Sequence, residues 1–440
     1  MVRFSPLVAA TFGAVLFLLS PLESQSAAEG YVRTTQSLPG SANSITVVDD
    51  GNVWFDGVSL NYDAPGLPTR ALLTFPTFRF GSFTMAIGNG ELLFAESSYG
   101  QIWRVPVDAA RTPQLLNTIQ YAYDAVAIGP GVAIVSAKTG GFSSAQNDLI
   151  ALDLVTGAQT TIGLVPGASG PLALSPEQEL VYATAPLTFP PPPAAVDVIR
   201  WNAAQWSLAL SGGPVLTNAN AQVIVNGLDS AGDLAIDIDD DIFVADYGNA
   251  RVLEISDSHT TKSVSTILDF ALASTSPSAL AFLPGATRNA EFEPFAHQGG
   301  GVLCVIETDY FATTNVARLA ARSAPLALAG GSGPVAPGVF TLMQQNGPHA
   351  GFCMLALGTV GTGALLPLRL QGFEQALLWE AGLLFPVATL FAPLDPTGTA
   401  AFALSNPGFP NGLWIHCQTA FVAADGSSIG ASNVCSVALQ

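Results

Sequence analysis

Charge is what this sequence has least of. Asp, Glu, Lys and Arg together make up 11% of its 440 residues, where an ordinary globular chain has about a quarter. So few charges argue against long amphipathic helices with solvated faces. Basic residues are the scarcest. Fourteen Lys and Arg stand against 33 Asp and Glu, the net charge is −19, and no Lys/Arg-rich run occurs. Such a chain repels phosphate backbones and anionic headgroups, which excludes nucleic acid and a lipid surface as partners. Cationic ligands and divalent metals stay open. Histidine is sparse and scattered: His259, His297, His349 and His416 form no pair at zinc or general-base spacing and read as loop or surface residues. Long apolar runs are also missing beyond the N-terminus. The longest, Ala376 to Ala392, is interrupted by Glu380 and Pro386 and is too short for a bilayer span.

What the chain does have is apolar residues (49%), 43 Gly and 31 Pro, a composition of short strands and many turns. Its N-terminus has the pattern of an export signal. Arg3 supplies the positive region, Leu7 to Leu19 the apolar stretch and Pro21 a break, and Ser26-Ala27-Ala28 offers small residues for cleavage. Residues 1–28 are therefore expected to leave, with the mature chain beginning near Glu29. The first cysteine is Cys304, so no thiol stands near the cleavage point to carry a lipid. Arg3 and Glu23 cancel, and the mature net charge stays at −19. The expected location is secreted or periplasmic, by bacterial-type export.

A unit then repeats. In its clearest copy, Asp233-Leu234-Ala235-Ile236-Asp237-Ile238 leads through Asp239-Asp240 to Asp241-Ile242-Phe243-Val244-Ala245-Asp246. After a Tyr247-Gly248-Asn249-Ala250 turn come Arg251 to Ile255 and Val264 to Phe270. Four short apolar strands separated by turns make one twisted blade. Copies open near residues 45, 85, 126, 172, 234 and 280, and the spacing suits propeller blades. An isolated four-stranded sheet leaves both faces wet, so such blades must stack and close into a ring. Phe189 and Pro190 to Pro193 are expected as a stiff loop within the fourth unit. The fold class is thus all-β: a β-propeller of about six blades over residues 29–323, a junction at 324–338, and a small β-sandwich over 339–440. In the last part, strand-like runs occur at Phe352 to Leu357, Leu365 to Leu370, Ala400 to Leu404, Leu413 to Val422 and Val434 to Leu439.

Val244-Ala245-Asp246, Gly248-Asn249 and Arg251-Val252 resemble the NHL repeat, with Asp240 where that repeat usually has Gly. The resemblance implies a six-bladed propeller. NHL-type propellers mostly bind proteins or other ligands, whereas the distantly similar gluconolactonase-like group hydrolyses lactones with a divalent metal held by Glu, Asn and Asp in the channel. The tail is similar to C-terminal β-sandwich modules of large secreted bacterial proteins.

Candidate chemistry is thin. Asp237, Asp239 and Asp241, with Asp240, could together hold a hard cation such as calcium, but successive strand residues point to opposite faces, which favours a solvated turn. A lactonase-like metal site would draw on Glu96, Asp124, Asp233 and Asp246, near strand ends, yet the Glu-Gly-Pro-x-Trp and Ser-Asn-Gly segments of that group are absent. Gly426-Ser427-Ser428-Ile429-Gly430 fits a nucleophile elbow by letter, but that motif needs an α/β-hydrolase sheet. Among four cysteines, Cys353, Cys417 and Cys435 share alternation phase with core residues of the tail, and Cys417 with Cys435 is the natural bridge if one forms. Cys304 reads as a buried thiol. The expected function is a non-enzymatic platform for an unknown protein or small-molecule ligand, with a metal-dependent lactonase-like hydrolase as the alternative.

Overall fold

A computed structural model describes residues 26–440 apart from 39–41, 43, 49–50, 65, 130, 142, 188–191, 239, 257–261, 271–274, 283–291, 293–300, 309–313, 332, 371–375, 410–411 and 427–428. The proline loop at 188–191, Asp239, His259, His297, Ser427, Ser428 and the first 25 residues lie outside that description.

Six antiparallel sheets of four strands follow one another along the chain. Their innermost strands are Ile45–Val48, Gly81–Gly88, Asp124–Gly129, Leu172–Leu174, Leu234–Ile236 and Ser276–Phe282, and they define blades 1 to 6. The second strands explain why the repeat was visible in sequence. Gly51–Phe55, Glu91–Glu96, Leu180–Ala183 and Ile242–Asp246 are buried at every residue. A strand covered on both faces reads as a continuous apolar run rather than an alternating one. Burial falls toward the outer edge: Gln114–Thr118, the fourth strand of blade 2, has no buried residue.

Each interface between blades carries its own hydrophobic cluster. Phe55, Leu60 and Phe75 meet Leu92, Phe94 and Val105 between blades 1 and 2, and the series continues around to Cys304, Ile306 and Val316 against Ile45, Val47 and Trp54 between blades 6 and 1. The chain is therefore a closed six-bladed β-propeller. The closure is made by Tyr31–Leu38, which forms the outer strand of blade 6 by pairing with Thr314–Ala321 in register from Tyr31↔Ala321 to Leu38↔Thr314. Strands from the two ends of the ring thus share one sheet, which holds the ring closed. Ser26–Ala27 adds a fifth strand to blade 5, opposite Leu268 and Asp269. Blade 4 carries a helix, α1 (Ala203–Leu210), between its third and fourth strands. Asn202 and Gln205 cap it reciprocally, and Trp206 and Ala209 bury its inner face against blades 3 and 4.

Beyond the ring, Leu326–Leu328, Gly338–Gln344 and Ala400–Asn406 form one sheet. Ala388–Pro393, Phe352–Gly358 and Leu413–Val422 form the second, with Ile429–Ala431 and Cys435–Leu439 on its far side. The two pack face to face through Leu326, Phe340, Leu342 and Phe402 on one side and Leu355, Phe421, Val437 and Leu439 on the other, which makes a small β-sandwich. A hairpin, Leu365–Arg369 with Ala376–Glu380, covers the sandwich's outer face through Leu377 and Trp379. The stretch expected as a junction thus already contributes Leu326–Leu328 to the sandwich, because alternation in so short a segment gives no readable period.

Candidate functional site in the propeller channel

The innermost strands leave a cavity of about 1100 Å³ on the ring axis. Its wall is small and apolar for most of its area: Ile45, Phe83, Met85, Val126, Leu174 and Leu280 come from five different blades. Five polar side chains stand out on it. Asp124 and Asp233 open the inner strands of blades 3 and 5; Tyr123 and Tyr247 flank them, and the buried Lys138 follows the second strand of blade 3.

The carboxyl groups are fixed by the backbone. Asp124 Oδ1 accepts from its neighbour Ala125 N at 2.7 Å, and its Oδ2 accepts from Leu172 N of blade 4 at 2.6 Å. Asp233 repeats the arrangement two blades on, accepting from Leu234 N at 2.8 Å and from Leu280 N of blade 6 at 2.7 Å. In blade 1 Ser44 takes the same place, its Oγ 2.9 Å from Thr84 Oγ1 of blade 2. Alternate blades therefore each latch the next through the residue at the head of the inner strand. The Tyr123 hydroxyl donates to Gly232 O at 2.8 Å, joining blades 3 and 5, which are not neighbours in the ring.

Burial among these apolar walls disfavours charge. It pushes Asp124 up to about 7 against the opposing pull of the Leu172 and Ala125 amides. Asp233 is raised well above the carboxylate range, first by burial and then by the negative charge of Asp124. Near neutrality the pair therefore retains a proton that exposed carboxylates would have lost.

Of the four carboxylates suggested by the lactonase-like comparison, the structure brings Asp124 and Asp233 to the channel and withholds Glu96 and Asp246. Those two end the second strands of blades 2 and 5 and are fully buried. Glu96 accepts from Arg79 at 3.1 Å, and Asp246 from Arg251 at 2.8 Å and Ser230 at 2.6 Å. Glu307 does the same in blade 6 with Arg33. These buried ion pairs tie strand ends rather than face the axis. In the acidic turn, the described carboxyls of Asp237 and Asp240 are already engaged. Asp237 Oδ1 accepts from Asp241 N at 3.1 Å and its Oδ2 from Phe292 N at 3.2 Å, so it closes a turn. Asp240 turns outward to Arg200 of blade 4 at 3.1 Å. Among the described residues no three His, Cys, Asp or Glu side chains form a metal-holding group.

The remaining motifs take structural places. Gly426 has φ +74°, and Ile429–Ala431 pairs antiparallel with Leu413–Val422, so the described residues on either side lie in strands rather than a helix. His416 lies in a strand rather than a loop, with Nδ1 2.9 Å from Ser436 Oγ. All four cysteines are thiols. Cys417 and Cys435 sit directly opposite on adjacent strands, and burial pushes Cys417 up to about 12. Tyr123, Tyr247 and Lys138 were missed in sequence. The available signal was a polar residue heading the inner strand of every second blade, Ser44, Asp124 and Asp233.

No protein-family model matches the sequence, and no curated protein matches it. Solved structures resemble its outline. Virginiamycin B lyase from Staphylococcus aureus, solved as a catalytically inactive variant with quinupristin, is 10% identical over 66% of this chain and 100% of that one, with a TM-score of 0.44. A putative gluconolactonase is 11% identical over 68% and 98%, also at 0.44. PorZ, a bacterial surface component of the type-IX secretion system of Porphyromonas gingivalis, is 10% identical over 91% of this chain and 52% of its own, at 0.43. Likenesses this distant concern chain outline, not chemistry. What fold and site together define is a six-bladed β-propeller with a C-terminal β-sandwich and an acid pair in its channel.

Proposed function

We propose that the chain is an exported binding protein, non-enzymatic, whose propeller holds a small organic ligand in its channel. The observation that carries this reading is the cavity itself: about 1100 Å³, walled largely by apolar and small side chains, with an acid pair among them. Ligand sites have that make-up, and they form where a rigid scaffold leaves a concave, water-poor space. The blades supply the rigidity, since the second strands of four of them are buried at every residue. Metal-dependent lactone hydrolysis finds less support. Two carboxyls whose oxygens already accept backbone N–H groups, and which hold protons near neutrality, compete poorly for a divalent cation. For export, the N-terminal segment remains the supporting feature, and among the described residues no helix is long and apolar enough to cross a membrane.

The test is a screen of small organic fragments by ligand-observed NMR, run in parallel on the natural protein and on Ala86→Trp, which fills the channel wall. Fragments that bind the first and not the second support the channel as the site. Fragments bound equally by both would refute it. Calcium-dependent turnover of an aldonolactone by the purified chain would replace the binding reading with the hydrolase.

A further inference from the structure

We propose that the channel's ligand is a small organic cation, a protonated amine on an apolar or aromatic body, with its ammonium group set between Asp124 and Asp233. The proposal rests on the channel being the binding site and adds what that site selects.

Size comes first. A cavity of about 1100 Å³ stands at the upper end of the ~300–1,000 Å³ that holds drug-sized organic molecules, far more than a bare ion or a water chain requires. The apolar wall then demands an apolar body. Phe83, Met85, Leu174, Leu280 and Phe282 line it, and a ligand hydrated all round would leave them without partners.

Charge comes next. The titratable groups facing the cavity are Asp124, Asp233, Lys138, Tyr121, Tyr123 and Tyr247. Two carboxyls from blades that are not neighbours are drawn together where the Tyr123 hydroxyl reaches Gly232 O at 2.8 Å, these being the residues just before the two acids, and the charge on one raises the other. The wall presents one lysine, Lys138, against two acids. An anionic ligand would meet both acids and a protein of net charge −19, and is disfavoured at short and long range alike. A neutral ligand gives the pair no reason to release its proton. An ammonium group does, stabilising the charged carboxyls by donating N–H bonds to lone pairs that the backbone amides leave open. The phenols of Tyr123 and Tyr247, next to the acids along the wall, add aromatic surface that attracts a cation. The site thereby has a built-in pH dependence. The amine requires the carboxyls charged, so binding strengthens as pH rises through the range in which they release their protons.

The experiment is isothermal titration of the full chain with 2-phenylethylamine, its neutral counterpart 2-phenylethanol, and phenylacetate, each at about pH 5 and about pH 8.5. The expected result is amine binding at least about tenfold tighter than alcohol at the higher pH, gaining about tenfold from the lower, and no phenylacetate binding. Asp233→Asn should weaken amine binding at the higher pH at least about tenfold and flatten its gain with pH. Should that variant fail to fold, the comparison of three ligands on the natural protein decides alone. Amine and alcohol binding equally at both pH values, yet both lost in Ala86→Trp, would overturn the amine and keep the channel. Amine binding that survives Ala86→Trp would overturn both.

Discussion

Asp240 shows how one residue can hold two blades together. It stands where the NHL-like unit usually has Gly, and its φ of +70° is the left-handed conformation that a Gly adopts without penalty. Asp tolerates this region better than most residues, and here the side chain has a use. Its Oδ2 accepts from Arg200 of blade 4 at 3.1 Å, and the same guanidinium meets Glu179 at 2.8 Å. A turn position has become a tether between blades 4 and 5. Asp240→Ala removes the tether and leaves a β-carbon in the left-handed region, so a loss of about 1–2 kcal/mol is expected in urea unfolding. Asp240→Gly loses only the tether and should cost about half as much or less, the backbone strain being relieved. Equal losses in the two variants would show that strain plays no part. The departure from Gly was legible in the sequence; the partner that explains it, some 40 residues upstream, was not.

At the scale of elements, the legible strands were those buried on both faces. Ile242–Asp246 and Leu180–Ala183 read as apolar runs between turn residues, and all six blade starts followed from them. What escaped was Tyr31–Leu38. Only its first and last residues are buried, with Arg33, Thr34 and Thr35 between, and its partner lies about 280 residues away, so neither apolar pattern nor local turn chemistry announces it. Helix α1 escaped for a different reason: at eight residues it resembles a loop, and its Asn202–Gln205 capping pair was the one readable sign. The two N-terminal strands should differ sharply in importance. Among the described residues, removal through Ala28 takes away the Ser26–Ala27 pairings at blade 5, the Ala28 bonds to Ile267 and Tyr31 and the partial cover that Ala27 and Ala28 give the adjoining core, and should cost about 1 kcal/mol. Removal through Leu38 opens the edge of blade 6 and exposes the cores holding Tyr31 and Leu38. That should cost about 3–5 kcal/mol from those two side chains alone, and leave a chain prone to self-association in sedimentation. A truncation through Leu38 that unfolds like the natural protein would contradict closure by this strand. Signal cleavage after Ala28 is compatible with the ring, since the closing strand begins at Tyr31.

For the whole molecule, two sets of buried acids pull stability in opposite directions with pH. Burial raises Glu91, but hydrogen bonds and charge from Arg104 and Arg111 outweigh it and hold the group below its usual 4.5. Glu380 is likewise raised by burial and brought below 4.5 overall by Thr362 and the nearby amides. These two contribute stability that is present above about 4.5 and lost as pH falls through their lowered folded values. Asp124 and Asp233 act the other way. Their folded values lie above the ordinary 3.8, at about 7 for Asp124, so the folded state holds protons that the unfolded chain has released. Their contribution is complete below 3.8 and declines as pH rises through neutrality. The urea midpoint should therefore pass through a maximum on the acid side of neutral and fall between about pH 5 and about pH 8. Asp124→Asn loses the acceptor for Leu172 N–H and should be less stable overall, but its profile over the same interval should be flatter, because one of the two coupled groups no longer titrates. A natural protein whose midpoint holds steady or rises from pH 5 to pH 8, or an Asn variant that falls as steeply, would mean that the channel carboxyls ionise as freely as surface ones, and the channel would then have to be wetter than its apolar wall implies.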